Sequence, residues 1–205
     1  MMKLYDVTAP IFEGMPVYKN KEEKQPSIQT VTNAHVTESR ISMDLHTGTH
    51  VDAPLHMMND GQTIETIELE QLVRPVKVFD VTKTEGKVSK QDLTSFNIEK
   101  NDFILLKTKN SFDDHFNFDF IYVAEDAATF LVEKGIAGVG IDALGIERAQ
   151  EGHPTHKALM SNDVIIIEGL RLKDVPEGDY FMMAAPLKLR GVDAAPARII
   201  LMEQK

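Results

Sequence analysis

The chain has 205 residues, 42% of them hydrophobic and 26% charged, with a formal net charge of -10 and no cysteine. That hydrophobic share excludes a disordered chain, the length fits one domain over residues 1–205, and the absence of cysteine excludes disulfides, thiolate metal sites and a cysteine nucleophile. The acidic surplus speaks against a nucleic-acid face or an anionic membrane surface, which leaves a small molecule as the expected partner.

The first residues carry no apolar signal-peptide core. The longest apolar runs, such as residues 164–167, are far short of the roughly 20 residues that span a bilayer, so a cytoplasmic protein is expected. Residues 15–26 are polar, with Lys19, Lys21, Glu22, Glu23 and Lys24, and read as an exposed loop with the character of a mobile lid. Residues 27–36 and 38–45, rich in Val, Ile and Thr, read as two strands of a hairpin. A strand follows at 76–81, a short helix from Ser89 to Leu93, and a buried strand at 102–107. Residues 124–134 form a helix stopped by Gly135. A strand at 137–141, a helical turn at 155–160, a strand at 164–167 and closing strands at 180–189 and 198–202 complete the chain. The alternation of strand and helix in the second half argues for α/β, and the strand-rich first half for a mixed rather than a purely parallel sheet.

Three of the seven histidines, His46, His50 and His56, fall within eleven residues that also hold Asp52. Imidazole and carboxylate together suit a divalent cation. On a straight strand His46 and His50 would stand about 13 Å apart, at roughly 3.3 Å per residue, too far to share an ion. Thr47, Gly48, Thr49 and Val51 are poor helix formers, and Pro54 stops a helix. The segment is therefore expected to bend at Gly48 and Thr49, or to make one tight turn, after a strand ending near Leu45. Asp52, two residues beyond His50, then faces the same point.

The remaining ligands are sought among His153, His156 and Glu168. Glu168 ends a buried apolar run, where a charge is costly unless paired or metal-bound. His153, before Pro154, reads as loop, and His35 and His115 as solvated. The run Gly138, Gly140, Ala143 has the spacing of a dinucleotide fingerprint. Its glycines lie inside a strand rather than between strand and helix, so no cofactor is expected there. No nucleophile elbow and no P-loop are present.

The spacing of His46, Gly48, Thr49, His50, Asp52, Pro54 and His56 follows the pattern H-x-G-T-H-x-D-x-P-x-H. With the stretch from Tyr5 to Ile11, the run from Gly138 to Asp142, His156 twelve residues before Glu168, and the stretch from Pro186 to Arg198 with Asp193 and Pro196, the whole chain resembles the Putative cyclase family. Known activities there include bacterial kynurenine formamidase and isatin hydrolase. The resemblance implies that His46, His50 and Asp52 hold one ion and that Asp52 bridges to a second, which His156 and Glu168 help bind. It implies His56 as acid/base beside the ions, with Glu168 the other candidate. His56 is the better choice, because a metal-bound carboxylate loses basicity. The family's formamidases usually carry zinc and isatin hydrolase carries manganese, so one or two divalent ions per chain are expected, Zn2+ first and Mn2+ second. The implied fold is α/β, a mixed, barrel-like β-sheet with flanking helices of the swivelling β/β/α type, and the implied assembly a homodimer or higher homo-oligomer.

The chain departs from the pattern at two places. Met15 to Tyr18 stand where formamidases often carry a Trp-Pro-Gly-Asp-like stretch, and no tryptophan is present. An aromatic wall for an aryl substrate is then expected from Tyr18, Phe12 or another residue. Val192 replaces a common glycine. The expected reaction is hydrolysis of an amide-type C–N bond, with an aryl formamide such as N-formylkynurenine as substrate. Opening of a cyclic amide on the same centre, and a non-catalytic metal-binding module, are the rival readings.

Overall fold

Along most strands the side chains alternate between two faces, and the computed structural model, which describes residues 2–203, shows what each face meets. In chain order come β1 (Leu4–Asp6), β2 (Ser27–Asn33), β3 (Val36–Ser42), β4 (His50–Asp52), α1 (Leu69–Leu72) and β5 (Val73–Asp80). Then follow β6 (Lys87–Val88), α2 (Lys90–Leu93), β7 (Phe103–Lys107), β8 (Tyr122–Val123), α3 (Glu125–Lys134) and β9 (Gly138–Ile141). The chain closes with α4 (Pro154–Met160), β10 (Ile165–Glu168), β11 (Gly178–Pro186) and β12 (Ala194–Glu203).

Seven strands run in the order β12-β11-β5-β7-β9-β10-β4, and β4 pairs back onto β12 to close a barrel. The central pairs β5–β7, β7–β9 and β9–β10 are parallel and the others antiparallel. The sheet is thus mixed and barrel-like with flanking helices, as the resemblance implies. β4 takes the start of one edge of β12, at Ala194 to Pro196, and β1 takes the end of the same edge, at Ile200 to Met202.

The barrel interior is filled from alternate positions, among them Val51, Val78, Leu105, Ile167, Met182 and Ile199. The opposite positions, Ile104, Leu106, Val139, Ile141 and Ile166, pack outward beneath Leu131 of α3 and Leu159 of α4. Each such fully buried aliphatic side chain contributes about 1.5–3 kcal/mol. Gly138 and Gly140 fall on the inward face of β9. A Cβ on Gly138 would lie 2.2 Å from the Phe103 ring, and one on Gly140 2.7 Å from Leu105. Their spacing therefore serves packing against large partners on the adjacent strand β7.

Several boundaries differ from the sequence expectations. The hairpin of β2 and β3 turns at Ala34 and His35, where Ala34 takes a φ of 52°, and β3 stops at Ser42. The loop 15–26 is charged and exposed in its middle, but Met15 and Val17 are buried at 3% and 1% exposure and anchor its start. β12 begins at Ala194, four residues before the expected closing strand. Asp193 to Pro196 fall between the two expected closing strands, yet Ala194 to Pro196 pair with β4. Pairing with a strand 140 residues away is invisible to local propensity.

Candidate metal centre

β4 is three residues long, and its alternation does the first part of the work. Val51 points into the barrel, so His50 and Asp52 both point outward. Their neighbour β10 places Glu168 directly opposite His50, also on the outer face. α4 lies across β10 and brings His156 down onto the same spot. His46 arrives from the turn after β3. Asp44 holds this turn by accepting the His46 N–H at 2.9 Å through its side chain and the Thr47 N–H at 3.1 Å through its carbonyl. Gly48, at φ 74°, then bends the chain back so that His46 meets His50. Close approach of backbones fixes the corner, for a Cβ on Gly169 (φ 70°) would fall 2.2 Å from the Gly48 carbonyl oxygen.

The cluster divides into two halves about Asp52. On one side His46 Nδ1 lies 3.0 Å from Asp52 Oδ1 and 3.2 Å from His50 Nε2, and His50 Nε2 lies 3.3 Å from Asp52 Oδ1. Ligands at about 2.0–2.1 Å from a tetrahedral ion stand about 3.3–3.4 Å apart, close to this triangle. On the other side His156 Nε2 is 3.3 Å from Glu168 Oε1 and 3.9 Å from Asp52 Oδ2, and Glu168 Oε2 reaches back to within 3.4 Å of His50 Nε2. His50, Asp52 and Glu168 are buried together.

Each imidazole uses its far nitrogen on an acceptor. His46 Nε2 meets Asp193 Oδ2 at 3.0 Å, His50 Nδ1 meets the Gly48 carbonyl at 3.0 Å, and His156 Nδ1 meets Glu147 Oε2 at 2.7 Å. A ring N–H spent on these acceptors turns the other nitrogen's lone pair toward the cluster. Asp52 supplies the sharpest test of fit. Both its carboxylate oxygens are buried and make no hydrogen bond of acceptable geometry. A buried carboxylate left so costs several kcal/mol unless a cation sits on it, and the donors around it are those a divalent cation takes.

Without an ion the same groups hold protons. Burial opposes charge on His50, but the Asp52 and Glu168 carboxylates, 3.3 and 3.4 Å from its Nε2, outweigh it and push the imidazole up to about 10. Burial likewise opposes charge on His156, and Glu147 and Glu168 push it up to about 10. Burial would raise the Asp52 carboxyl, yet His46 and His50 hold it well below the usual range. His56 differs. It sits in the turn Pro54–His56, its Nδ1 3.5 Å from Asp193 Oδ2 and its ring 4.1 Å from that of His46, and burial lowers its pKa below the ordinary value. It is the neutral imidazole of the group.

Of the residues singled out from sequence, His46, His50, Asp52, His156 and Glu168 come together, with His56 beside them. His153 stands at the N-cap of α4, half exposed, its Nδ1 3.8 Å from Glu147 Oε2. His35 is exposed, as is the His115 side chain at 92%. Tyr18 packs edge-on against Phe116 and Phe120, and burial, then the Glu168 charge, raises its pKa. Phe12 instead lines a cavity of about 670 Å³ with Phe112, Phe116, Phe120, Leu144 and Leu170. That cavity reaches Gly169, the residue after Glu168, but none of the five clustered residues lines it. Sequence reasoning missed Glu147 and gave Asp193 no role. Neither lies at ligand spacing from its histidine; the sole hint was an acidic residue directly after the apolar run ending at Ile146.

A model of the Putative cyclase family matches residues 5–148. A kynurenine formamidase of Sphingopyxis alaskensis is 32% identical over 211 residues, covering 99% of each chain. Among solved structures, a potential metal-dependent hydrolase with cyclase activity superposes with a TM-score of 0.96 at 65% identity over 100% of both chains. Isatin hydrolase A from Labrenzia aggregata shares the fold, with a TM-score of 0.88 at 23% identity over 100% of this chain and 94% of the other.

Proposed function

The chain belongs to the Putative cyclase family and is a hydrolytic enzyme, and on that premise we propose that it hydrolyses aryl formamides of the N-formylkynurenine type at a centre of one or two divalent ions. His46, His50 and Asp52 would hold one ion, and Asp52, His156 and Glu168 a second. The observation that carries this reading is the buried carboxylate of Asp52, which makes no hydrogen bond and lies between two sets of imidazole and carboxylate donors. The donor spacing in the first half and its two imidazoles favour zinc over manganese. The formamide is favoured over a cyclic amide by the 32% identity to a kynurenine formamidase over nearly the whole chain.

A bound divalent ion supplies a water nucleophile that ionises near neutral pH instead of at about 15.7, together with polarisation of the formyl oxygen. The chain supplies the rest. Asp52 and Glu168 balance the cationic charge in a buried site. His56, neutral and beside the cluster, accepts the proton released as water attacks the formyl carbon. It would return that proton to the leaving nitrogen, so that the C–N bond breaks to give a neutral arylamine and formic acid, which then loses its remaining proton to solvent as formate. Asp193 Oδ2, near both His46 Nε2 and His56 Nδ1, orients the base.

His56→Ala should keep its metal content and lose turnover by about 10²–10⁴-fold, the usual contribution of a positioned acid/base. The test is metal analysis beside an N-formylkynurenine assay, with isatin as the competing substrate. A wild-type protein loaded with Zn2+ or Mn2+ that leaves the formamide intact refutes the substrate assignment, and preferred opening of isatin installs the cyclic-amide reading in its place.

The working assembly is a homodimer or higher homo-oligomer. The hairpin of β2 and β3 supports this, since every one of its residues is exposed, including Val31 at 68%, Ile41 at 50% and Val36 at 49%. A two-stranded hairpin without a packing partner is marginal in water.

A further inference from the structure

We propose that Glu147 is the positioning residue of the second half of the site, and that it and the adjacent Ile146 together aim two of the three protein ligands there, His156 and Glu168. The proposal rests on the two-ion reading above. Glu147 is 3% exposed, in the connection between β9 and α4. Its Oε2 accepts from His156 Nδ1 at 2.7 Å and from the His156 backbone N–H at 3.2 Å, while Oε1 accepts the Thr155 N–H at 2.9 Å. One residue earlier, the Ile146 N–H donates to Glu168 Oε1 at 2.5 Å. Two consecutive residues thus hold the two groups whose ligand atoms, His156 Nε2 and Glu168 Oε1, stand 3.3 Å apart.

The segment is itself fixed. The Ile146 carbonyl accepts the Val123 N–H of β8 at 2.8 Å. Gly145 before it permits a tight path, for a Cβ there would meet the Glu147 carbonyl oxygen at 3.0 Å and the Tyr18 ring at 3.4 Å. An ionised carboxylate only accepts, so the His156 ring must keep its proton on Nδ1 and offer the Nε2 lone pair to the site. Carboxylates behind a metal-bound imidazole raise its basicity and fix its ring, and their loss typically costs about 10–100-fold in metal affinity. Capping of α4 would use only the Thr155 and His156 backbone N–H groups. The ring bond is additional, and it points at the site. His153 Nδ1, at 3.8 Å, is beyond hydrogen-bond reach of the same carboxylate.

Glu147→Gln removes the charge with little change of shape. Zinc titration of the full chain by calorimetry should show one ion bound as in the wild type and the second about 10–100-fold more weakly. In the zinc-loaded wild type, ¹⁵N-histidine NMR should show a slowly exchanging ring N–H on His156 Nδ1, lost or strongly shifted in Glu147→Gln. A folded variant of lower Tm that binds both ions normally and keeps the His156 resonance assigns Glu147 to helix capping and overturns the proposal. Should the variant not fold, the wild-type spectrum decides, because a His156 proton on Nε2 overturns it equally. A wild-type stoichiometry of one ion refutes the two-ion reading, and the same His156 resonance then tests Glu147 by itself. A stoichiometry of three, with the third ion lost in His153→Ala, overturns the proposal by making Glu147 a ligand.

Discussion

At the residue scale, Asp52 and the imidazoles around it couple metal binding to protons. Unfolded, His50 and His156 titrate near 6.5; folded and ion-free, they keep their protons up to about 10. Their pairing with carboxylates therefore stabilises fully below 6.5 and is lost as pH rises toward about 10. Asp52 and Glu168 act oppositely. Their folded pKa values lie below the ordinary 3.8 and 4.5, so their contribution is full above those values and lost as pH falls further. The chelator-stripped protein is predicted to have a Tm plateau between 4.5 and 6.5 and to weaken on both sides. An ion replaces the imidazole protons. Its uptake near pH 7 should release protons and tighten as pH rises, which calorimetry in buffers of different ionisation heat reads directly. Metal uptake with no proton exchange between pH 6 and 8 would contradict the arrangement of His50 and His156.

Among the elements, β4 and β9 show two uses of alternation. In β4 it separates one core residue from two polar ones, and a shift of register by one residue would bury His50 and Asp52 in the barrel and expel Val51. In β9 the inward positions are glycines because Phe103 and Leu105 occupy the space opposite. Gly138→Ala, with its Cβ 2.2 Å from the Phe103 ring, is expected to lower stability by about 1–3 kcal/mol as an overpacked core does. Denaturant midpoints at unchanged m-value would measure it. A neutral result would mean that the Phe103 ring moves freely, contrary to its full burial in the barrel. The proposed metal ligands are spread over β4, β10, α4 and the turn after β3, so losing a bound ion should loosen these elements together.

For the whole molecule, the barrel is closed by the pairing of β4 with β12, which also places β4 between β12 and β10. Closure leaves the hairpin of β2 and β3 standing outside, with Ile28 opposite Ile41 and both exposed. A second copy covering this hairpin is the expected state in solution. Light scattering should return at least twice the 23.0 kDa of one chain, and Val31→Asp with Val36→Asp should shift it toward the monomer. A monodisperse monomer at micromolar concentration would refute the oligomer.

Local chemistry was enough to find the first half of the site. His46, His50 and Asp52 are neighbours in the chain, so poor helix propensity, one glycine and one proline dictate the bend that gathers them. The half-buried helix α3 with its Gly135 stop, and the apolar strands β7 and β10, were equally legible, because their apolar pattern reports burial directly. Tertiary structure decided what depends on distant pairing. It set β4 and the start of β12 as strands, placed Glu168 opposite His50, and chose His156 over His153 as the imidazole turned toward Asp52. It alone put Glu147 and Asp193 behind the imidazoles. A carboxylate that aims a ligand touches it across a fold, at whatever sequence separation the fold dictates, and so leaves no spacing to read.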